Sequence, residues 1–377
     1  MPYRYLTRID MVPYLSEKEK ERLRKVEKVF RFRATDYYLN LIDWDDPQDP
    51  LRKIIIPHER ELERWGRIDP SRESLYTVMP GVEHKYTQTV LVLASPVCAG
   101  ICRFCFRKRI FMKKYLQFVK NFPQLISYLR QHKEVDNVLL SGGDPLVLPT
   151  ERLDYMIGKI REIDHIGIIR IGTKVPAYNP LRILEDPSLP EMIERYSEKD
   201  RKIYIITDFN HPRELTREAI EALNILKDSG AVLANQTPLL KGINDSVQTL
   251  SELFRSLAEV GVPPYYIFQC RPTVGNKPFA IPIEKGLEIF ERIKAHTSGL
   301  AKRARYIMSH TTGKIEIVGM DEENVYMKYM NAVDENLYGK LLVFKRNPNA
   351  YWLEDYISAR GEELYGTVTE AGEITLN

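Results

Sequence analysis

The 377-residue sequence contains no apolar run approaching twenty residues and no hydrophobic stretch of the secretory type behind its opening MPYRYLTRID. Neither membrane insertion nor export is therefore expected, and the cytoplasm is the expected compartment. Cysteine is scarce: four residues in a chain this long do not make a disulfide framework. Neither charge dominates, because 55 Lys and Arg nearly balance 52 Asp and Glu for a net of +3, and a nucleic-acid partner is not expected. No period of twenty to fifty residues recurs and no low-complexity tract stands out, which sets repeat architectures aside. What remains, 44% hydrophobic and 28% charged residues, is the composition of a globular protein with material for a sizeable core.

The chain divides into three stretches. Residues 1–85 are charged and aromatic, with helix-like runs such as SEKEKERLRKVEKVF followed by the turn-rich DWDDPQDP, and read as an N-terminal helical segment. Over 86–300 short β-rich runs alternate with helical ones: TVLVLASPV, DNVLL, IGIIRI, KIYIIT, AVLANQT and PYYIFQC. The Gly-, Pro- and Cys-bearing chemistry always follows the strand, so the six loops converge on the C-terminal face of a parallel sheet. Six units predict an α/β fold of the incomplete (β/α)6 barrel type. Residues 301–377 turn mixed and basic and read as a small C-terminal cap.

CAGICRFCFRKR places Cys98, Cys102 and Cys105 in the first of those loops. Three thiolates are one short of a closed structural zinc site, and the nearest histidine in sequence, His84, precedes the strand. Zinc completed by Cys270 or a distant histidine is one reading. The other is an iron–sulfur cluster with one iron left open for a substrate or cofactor. In the second loop, SGGDPL supplies two glycines, Gly142 and Gly143, that allow close backbone approach to a ligand, and Asp144, suited to an ammonium.

Cysteines at C-x3-C-x2-C after the first strand of a βα series resemble the radical S-adenosylmethionine (SAM) signature. CRFCFRKRIF, LLSGGDPL, RIGTKVP, FNHPRELT, NQTPLLKGIND, PYYIFQC and EKGLEIFERIKAHTSG, in that order, sharpen the resemblance to the lysine 2,3-aminomutase family, from about residue 36 to 319. The resemblance implies a 4Fe-4S cluster on Cys98, Cys102 and Cys105, SAM held partly by Gly142, Gly143 and Asp144, and pyridoxal phosphate on Lys314 of TTGKIEIVG. It further implies cofactor contacts from Gln236, Tyr86, Lys85 and Thr89, an α-carboxylate contact from Arg107, and amino migration between C2 and C3 of an amino acid. It implies as partners an electron donor such as ferredoxin or flavodoxin, and a homo-oligomeric assembly.

Several positions depart from the family. Lysine-specific members carry two acids for the distant ammonium of the substrate; the first aligns with Arg271, the second with Met308 or a neighbour. The reversed charge at Arg271 suggests an acidic or polar substrate such as glutamate. The family's phosphate-binding arginine aligns with Thr89, an arginine has become Lys85, and a histidine near SAM has become Asp208. Three other readings follow: a relative that has lost pyridoxal phosphate, a lysine 2,3-aminomutase after all, or a non-catalytic metal-stabilised binding protein. Modification of a protein lysine, as in one branch of the family, is disfavoured by the same missing acids.

Overall fold

The computed structural model describes residues 3–112 and 117–358, with two short strands beyond them, Thr367–Val368 and Ile374–Thr375. Most of the expected cap after residue 358 lies outside the described residues. Twelve strands form one sheet in chain order: β1 Thr77–Met79, β2 Val82–Tyr86, β3 Thr89–Ser95, β4 Asn137–Gly142, β5 Ile168–Thr173, β6 Ile203–Thr207, β7 Val232–Pro238, β8 Pro264–Phe268, β9 Arg305–His310, β10 Gly313–Met320, β11 Asn324–Ala332 and β12 Leu341–Lys345. From β3 to β9 every pairing is parallel. The remaining strands add antiparallel at both ends.

This is the α/β fold expected as an incomplete (β/α)6 barrel: its six anticipated parallel strands are present, the pairing does not close, and a seventh parallel strand extends it. A tight turn joins that strand, RYIMSH, to its antiparallel partner β10. The strand nonetheless also pairs in parallel with β8.

The longer helices are α1 Glu17–Glu27, α2 Phe122–Gln131, α3 Thr150–Arg161, α4 Ser188–Tyr196, α5 Arg217–Asp228, α6 Val247–Glu259 and α7 Ile283–His296. Their ends follow local chemistry. Ser16 and Glu19 form a capping box on α1, and Thr216 accepts from the Ala219 amide at the start of α5. α5 stops at Ser229–Gly230, where Gly230 has φ +85.

Strand period decides which residues reach the site. Val138 and Leu140, Ile169 and Ile171, Ile203 and Ile205 are fully buried in a core shared with Leu153, Ile157, Leu223, Leu226 and Leu250 of the helices. The alternate positions, Asn137, Leu139, Ser141, Arg170, Tyr204 and Gln236, are less buried and mostly polar. They line the other face of the sheet.

The N-terminal segment is packed into the same core through Leu6, Ile9, Ile54 and Ile55. It also reaches the far strands: Tyr76 Oη donates to the Thr311 carbonyl at 2.9 Å, and Lys85 Nζ to the His310 carbonyl at 2.6 Å. The sheet is open in its pairing, yet these bonds draw its early and late strands around one space. Among the described residues no helix is long and apolar enough to cross a membrane.

Candidate active site

The loop after β3 carries Cys98, Cys102 and Cys105, all free and partly exposed. They converge: burial raises each thiol's pKa, and the Cys98 thiol is raised further by Asp144 and then by Cys105 and Cys102. The loop's backbone is fastened on its outer side. The Ile101 amide donates to the Arg33 carbonyl and the Arg103 amide to the Ile54 carbonyl, each at 2.9 Å, while Asn276 Nδ2 donates to the Phe104 carbonyl at 2.8 Å.

Arg103, 1% exposed, forks onto the buried Glu61 carboxylate at 3.0 and 2.8 Å and donates to the Arg31 carbonyl. Cys270 instead lies in the surroundings of Lys108 and Arg271, and burial pushes its thiol up to about 12. Among the described residues no three His, Cys, Asp or Glu side chains surround a position for a single metal ion. Three convergent thiols, which burial keeps neutral until a metal takes them as thiolates, fit a cluster-sized group with one position left to a non-protein ligand.

The glycines of the next loop are required by how closely it lies on the first. The Gly143 amide donates to the Ser95 carbonyl at 2.7 Å and the Asp144 amide to the Val97 carbonyl at 2.8 Å. Gly142 has φ +109, and a Cβ there would lie 2.7 Å from the Ser95 carbonyl oxygen; a Cβ on Gly143 would overlap the Val97 carbonyl.

Asp144 has a structural employment that its motif does not announce. Its carboxylate accepts from Thr173 Oγ1 at 2.7 and 3.0 Å, the Lys174 amide at 2.7 Å and the Leu146 amide at 3.0 Å. Burial lifts it to about 6, with those donors holding it lower than burial alone would. It ties the second loop to the end of β5.

Sequence reasoning missed the polar group beside Cys102. The Tyr178 hydroxyl lies 2.9 Å from Cys102 Sγ. Lys174 pairs with the buried Glu214 at 2.8 Å and donates to the Asp208 carbonyl, and Tyr38 donates to Glu214 at 2.7 Å. The Asp208 side chain accepts from Asn210 Nδ2 at 2.7 Å. Lys174 sits inside the motif RIGTKVP and Tyr178 two residues beyond it, and residue type alone gave them no role.

Arg107 and Arg271 meet at Phe106. Their guanidinium carbons lie 4.7 and 3.7 Å from the same ring centroid, so their separation cannot exceed the sum of those distances. Arg107 donates through Nε to Glu73 at 3.0 and 3.2 Å and through Nη1 to Ser141 Oγ at 3.2 Å. Arg109 pairs with the same Glu73, and lies 3.7 Å from Asp69.

Against the cost of burial, these arginines hold the Glu73 carboxyl well below its usual range. Burial and the Glu73 charge push neighbouring Glu83 up to about 8, so it stays largely protonated at neutral pH. Three guanidiniums thus face fewer ionised carboxylates. Arg271 donates to Ser71 Oγ at 2.7 Å and has no ion pair among the described residues; burial first, and then Arg107, lower it to about 10. Glu73 and Phe106 are the residues that sequence reading overlooked, since neither belongs to a recognisable spacing.

Lys314, near the start of β10, is in register with Ser309 and Asn331. Its Nζ lies 4.9 Å from the Tyr266 ring centroid, and burial, then Arg170, then Arg271 bring its ammonium down to about 7. Lys85 is lowered to about 7 by burial first and Arg271 next, and its Nζ lies 5.1 Å from Tyr76 and 5.5 Å from Tyr86. Gln236 is the register partner of Tyr266, and Thr89 that of Asn137. Met308 is wholly buried in the apolar core. Beside Tyr266, whose register partner is Gln236, Lys314 is therefore a lysine substantially unprotonated at neutral pH.

The sequence matches the Radical SAM superfamily over residues 92–254. A putative L-lysine 2,3-aminomutase of Aquifex aeolicus is 48% identical over 354 residues, 94% of this chain and 95% of that one. The L-lysine 2,3-aminomutase of Clostridium subterminale is 40% identical over 76% of this chain and 68% of its own. A glutamate 2,3-aminomutase of Clostridioides difficile is 35% identical over 76% of this chain and 67% of its own.

Proposed function

Because the chain belongs to the lysine 2,3-aminomutase family of radical SAM enzymes, we propose that it is a pyridoxal-phosphate-dependent 2,3-aminomutase whose substrate is an acidic amino acid such as glutamate. Membership implies the 4Fe-4S cluster and SAM, for which Cys98, Cys102, Cys105 and the Gly142–Gly143 backbone are the fitting residues. When bound, these cofactors supply the means of taking hydrogen from an unactivated carbon, and pyridoxal phosphate a conjugated system across which nitrogen can migrate. The chain's own residues bind, orient and exclude water.

Lys314 supports the pyridoxal reading. Its amine is substantially neutral at physiological pH, and the Tyr266 ring and the wall of the sheet shield it.

The observation that carries the substrate assignment is the pair Arg107 and Arg271 on one ring. Arg271 remains charged at neutral pH and has no ion pair among the described residues. An α-carboxylate at Arg107, displacing part of the Glu73 contact, leaves a side-chain carboxylate within reach of Arg271. A lysine side chain would bring an ammonium to a guanidinium, a like-charge contact in a partly dehydrated site.

Reduced, reconstituted enzyme with SAM should convert glutamate or aspartate to the β-amino acid, followed by mass spectrometry and chromatography. Faster conversion of lysine than of either would overturn the substrate assignment. A second reading, a relative that works without pyridoxal phosphate, is favoured by Thr89 at the family's arginine position. It predicts no spectral change when pyridoxal phosphate is added to the protein.

A further inference from the structure

We propose that Arg170 of β5, reaching over Asn137, is the cation that holds the phosphate of pyridoxal phosphate in this chain and takes over the place left by Thr89. The proposal rests on the pyridoxal-phosphate reading given above and gives a role to a residue that opens the motif RIGTKVP without having one in the sequence reading.

Thr89, Asn137 and Ile168 are in register across three adjacent parallel strands. Arg170 is two residues beyond Ile168 and therefore on the same face of the sheet. Its Nε donates to Asn137 Oδ1 at 2.9 Å, which turns the head of the side chain back toward the row that begins at Thr89. A residue that starts one row further along thus delivers its charge to the row where an arginine is missing.

The guanidinium has no carboxylate in direct contact where it lies, although Asp136 acts on it from a distance. Among the described residues Arg170 forms no ion pair, and the hydrogen bond to neutral Asn137 leaves most of its donors for another partner. A half-buried guanidinium without an ion pair gains from an anion that joins it. Burial already lowers its pKa.

It also acts on the proposed cofactor lysine through its charge. Arg170 is the first charge, after burial, that depresses Lys314, and Lys314 Nζ lies 4.9 Å from the Tyr266 ring, whose hydroxyl in turn senses Arg170. A molecule with an aldehyde for an amine and a phosphate for a guanidinium suits a lysine and an arginine whose charges both reach the surroundings of Tyr266. The Thr89 hydroxyl and Asn137 amide are neutral donors in the same row, and Lys85 supplies a second amine from the neighbouring strand. Arg271 is a weaker candidate, because it is engaged with Ser71 and Phe106 beside Arg107.

The test is a spectroscopic titration of the full-length protein with pyridoxal phosphate and, separately, with pyridoxal. Wild type should prefer the phosphorylated form. Arg170→Gln should cut that preference by about 10- to 100-fold, the loss of one or two charged hydrogen bonds, while leaving pyridoxal binding nearly unchanged. Arg170→Lys, which keeps a point charge and guards against a folding defect, should retain part of it. Adding Thr89→Arg to Arg170→Gln should restore it.

An unchanged preference in Arg170→Gln overturns the assignment, as does an equal loss for pyridoxal and pyridoxal phosphate, which marks a structural role only. If wild type binds neither compound, the pyridoxal-phosphate reading itself has failed. That result is distinct, because a failure confined to Arg170 leaves wild-type binding intact.

Discussion

Single side chains decide the chemistry, and two of them are poised by burial. Lys314 is lowered to about 7, so its neutral form grows as pH rises through that value. Capture of pyridoxal phosphate should accelerate from pH 6 to pH 8 with a midpoint near 7, measured by absorbance in stopped flow; a midpoint near 10 would contradict the burial. The sign for stability is the same. Between about 7 and the unfolded lysine's ordinary value the unfolded chain binds the extra proton, so stability rises with pH across that window. Lys314→Met should therefore gain most over wild type at or below pH 7, and less as pH increases.

Arg271→Gln should raise the KM for an acidic substrate by about 10- to 100-fold, with a smaller effect on kcat. A KM left unmoved would place the side-chain carboxylate elsewhere. The cysteines were marked in the sequence by type and spacing, Lys314 and Arg271 only by the resemblance to the family. Glu73, Phe106 and Arg170 were not: a glutamate in SRESLY or an arginine in a strand gains meaning only from the partner that the fold brings to it.

At the level of elements, the loops do what strand-then-glycine patterns predict, but for a reason the pattern hides. Gly142 and Gly143 are needed because their loop lies directly on Ser95 and Val97, so the cysteine loop and its neighbour are fixed relative to one another. Gly143→Ala should fold, as judged by circular dichroism, yet lose most SAM binding by equilibrium dialysis; wild-type affinity would show that the close approach is dispensable. All six anticipated strands and the stop of α5 at Ser229–Gly230 were readable from alternation and turn chemistry. The seventh, β9, was not, since its parallel partner β8 lies a helix away in sequence and its nearest neighbour is a hairpin.

For the whole molecule, the N-terminal segment matters more than its helical, charged composition suggests. It shares the central core and carries Glu61, whose fork on Arg103 is buried on both sides. In the sequence ERELERW that glutamate is one of several and reads as solvated surface. Breaking such a pair costs about 3–5 kcal/mol. Glu61→Gln should accordingly lower the denaturant midpoint markedly and speed iron loss to a chelator, and iron retention at the wild-type rate would show that the fork does not steady the cluster loop.

The same fastenings impose an order of biogenesis. The cysteine loop is held by Arg31, Arg33, Ile54 and Glu61 on one side and by Asn276 on the other. Its first anchors leave the ribosome before the cysteines do, and its last emerges some 170 residues after them. A nascent chain therefore presents its thiols in a half-built cradle for most of its synthesis. The cradle is complete only once the loop that follows β8 has been made.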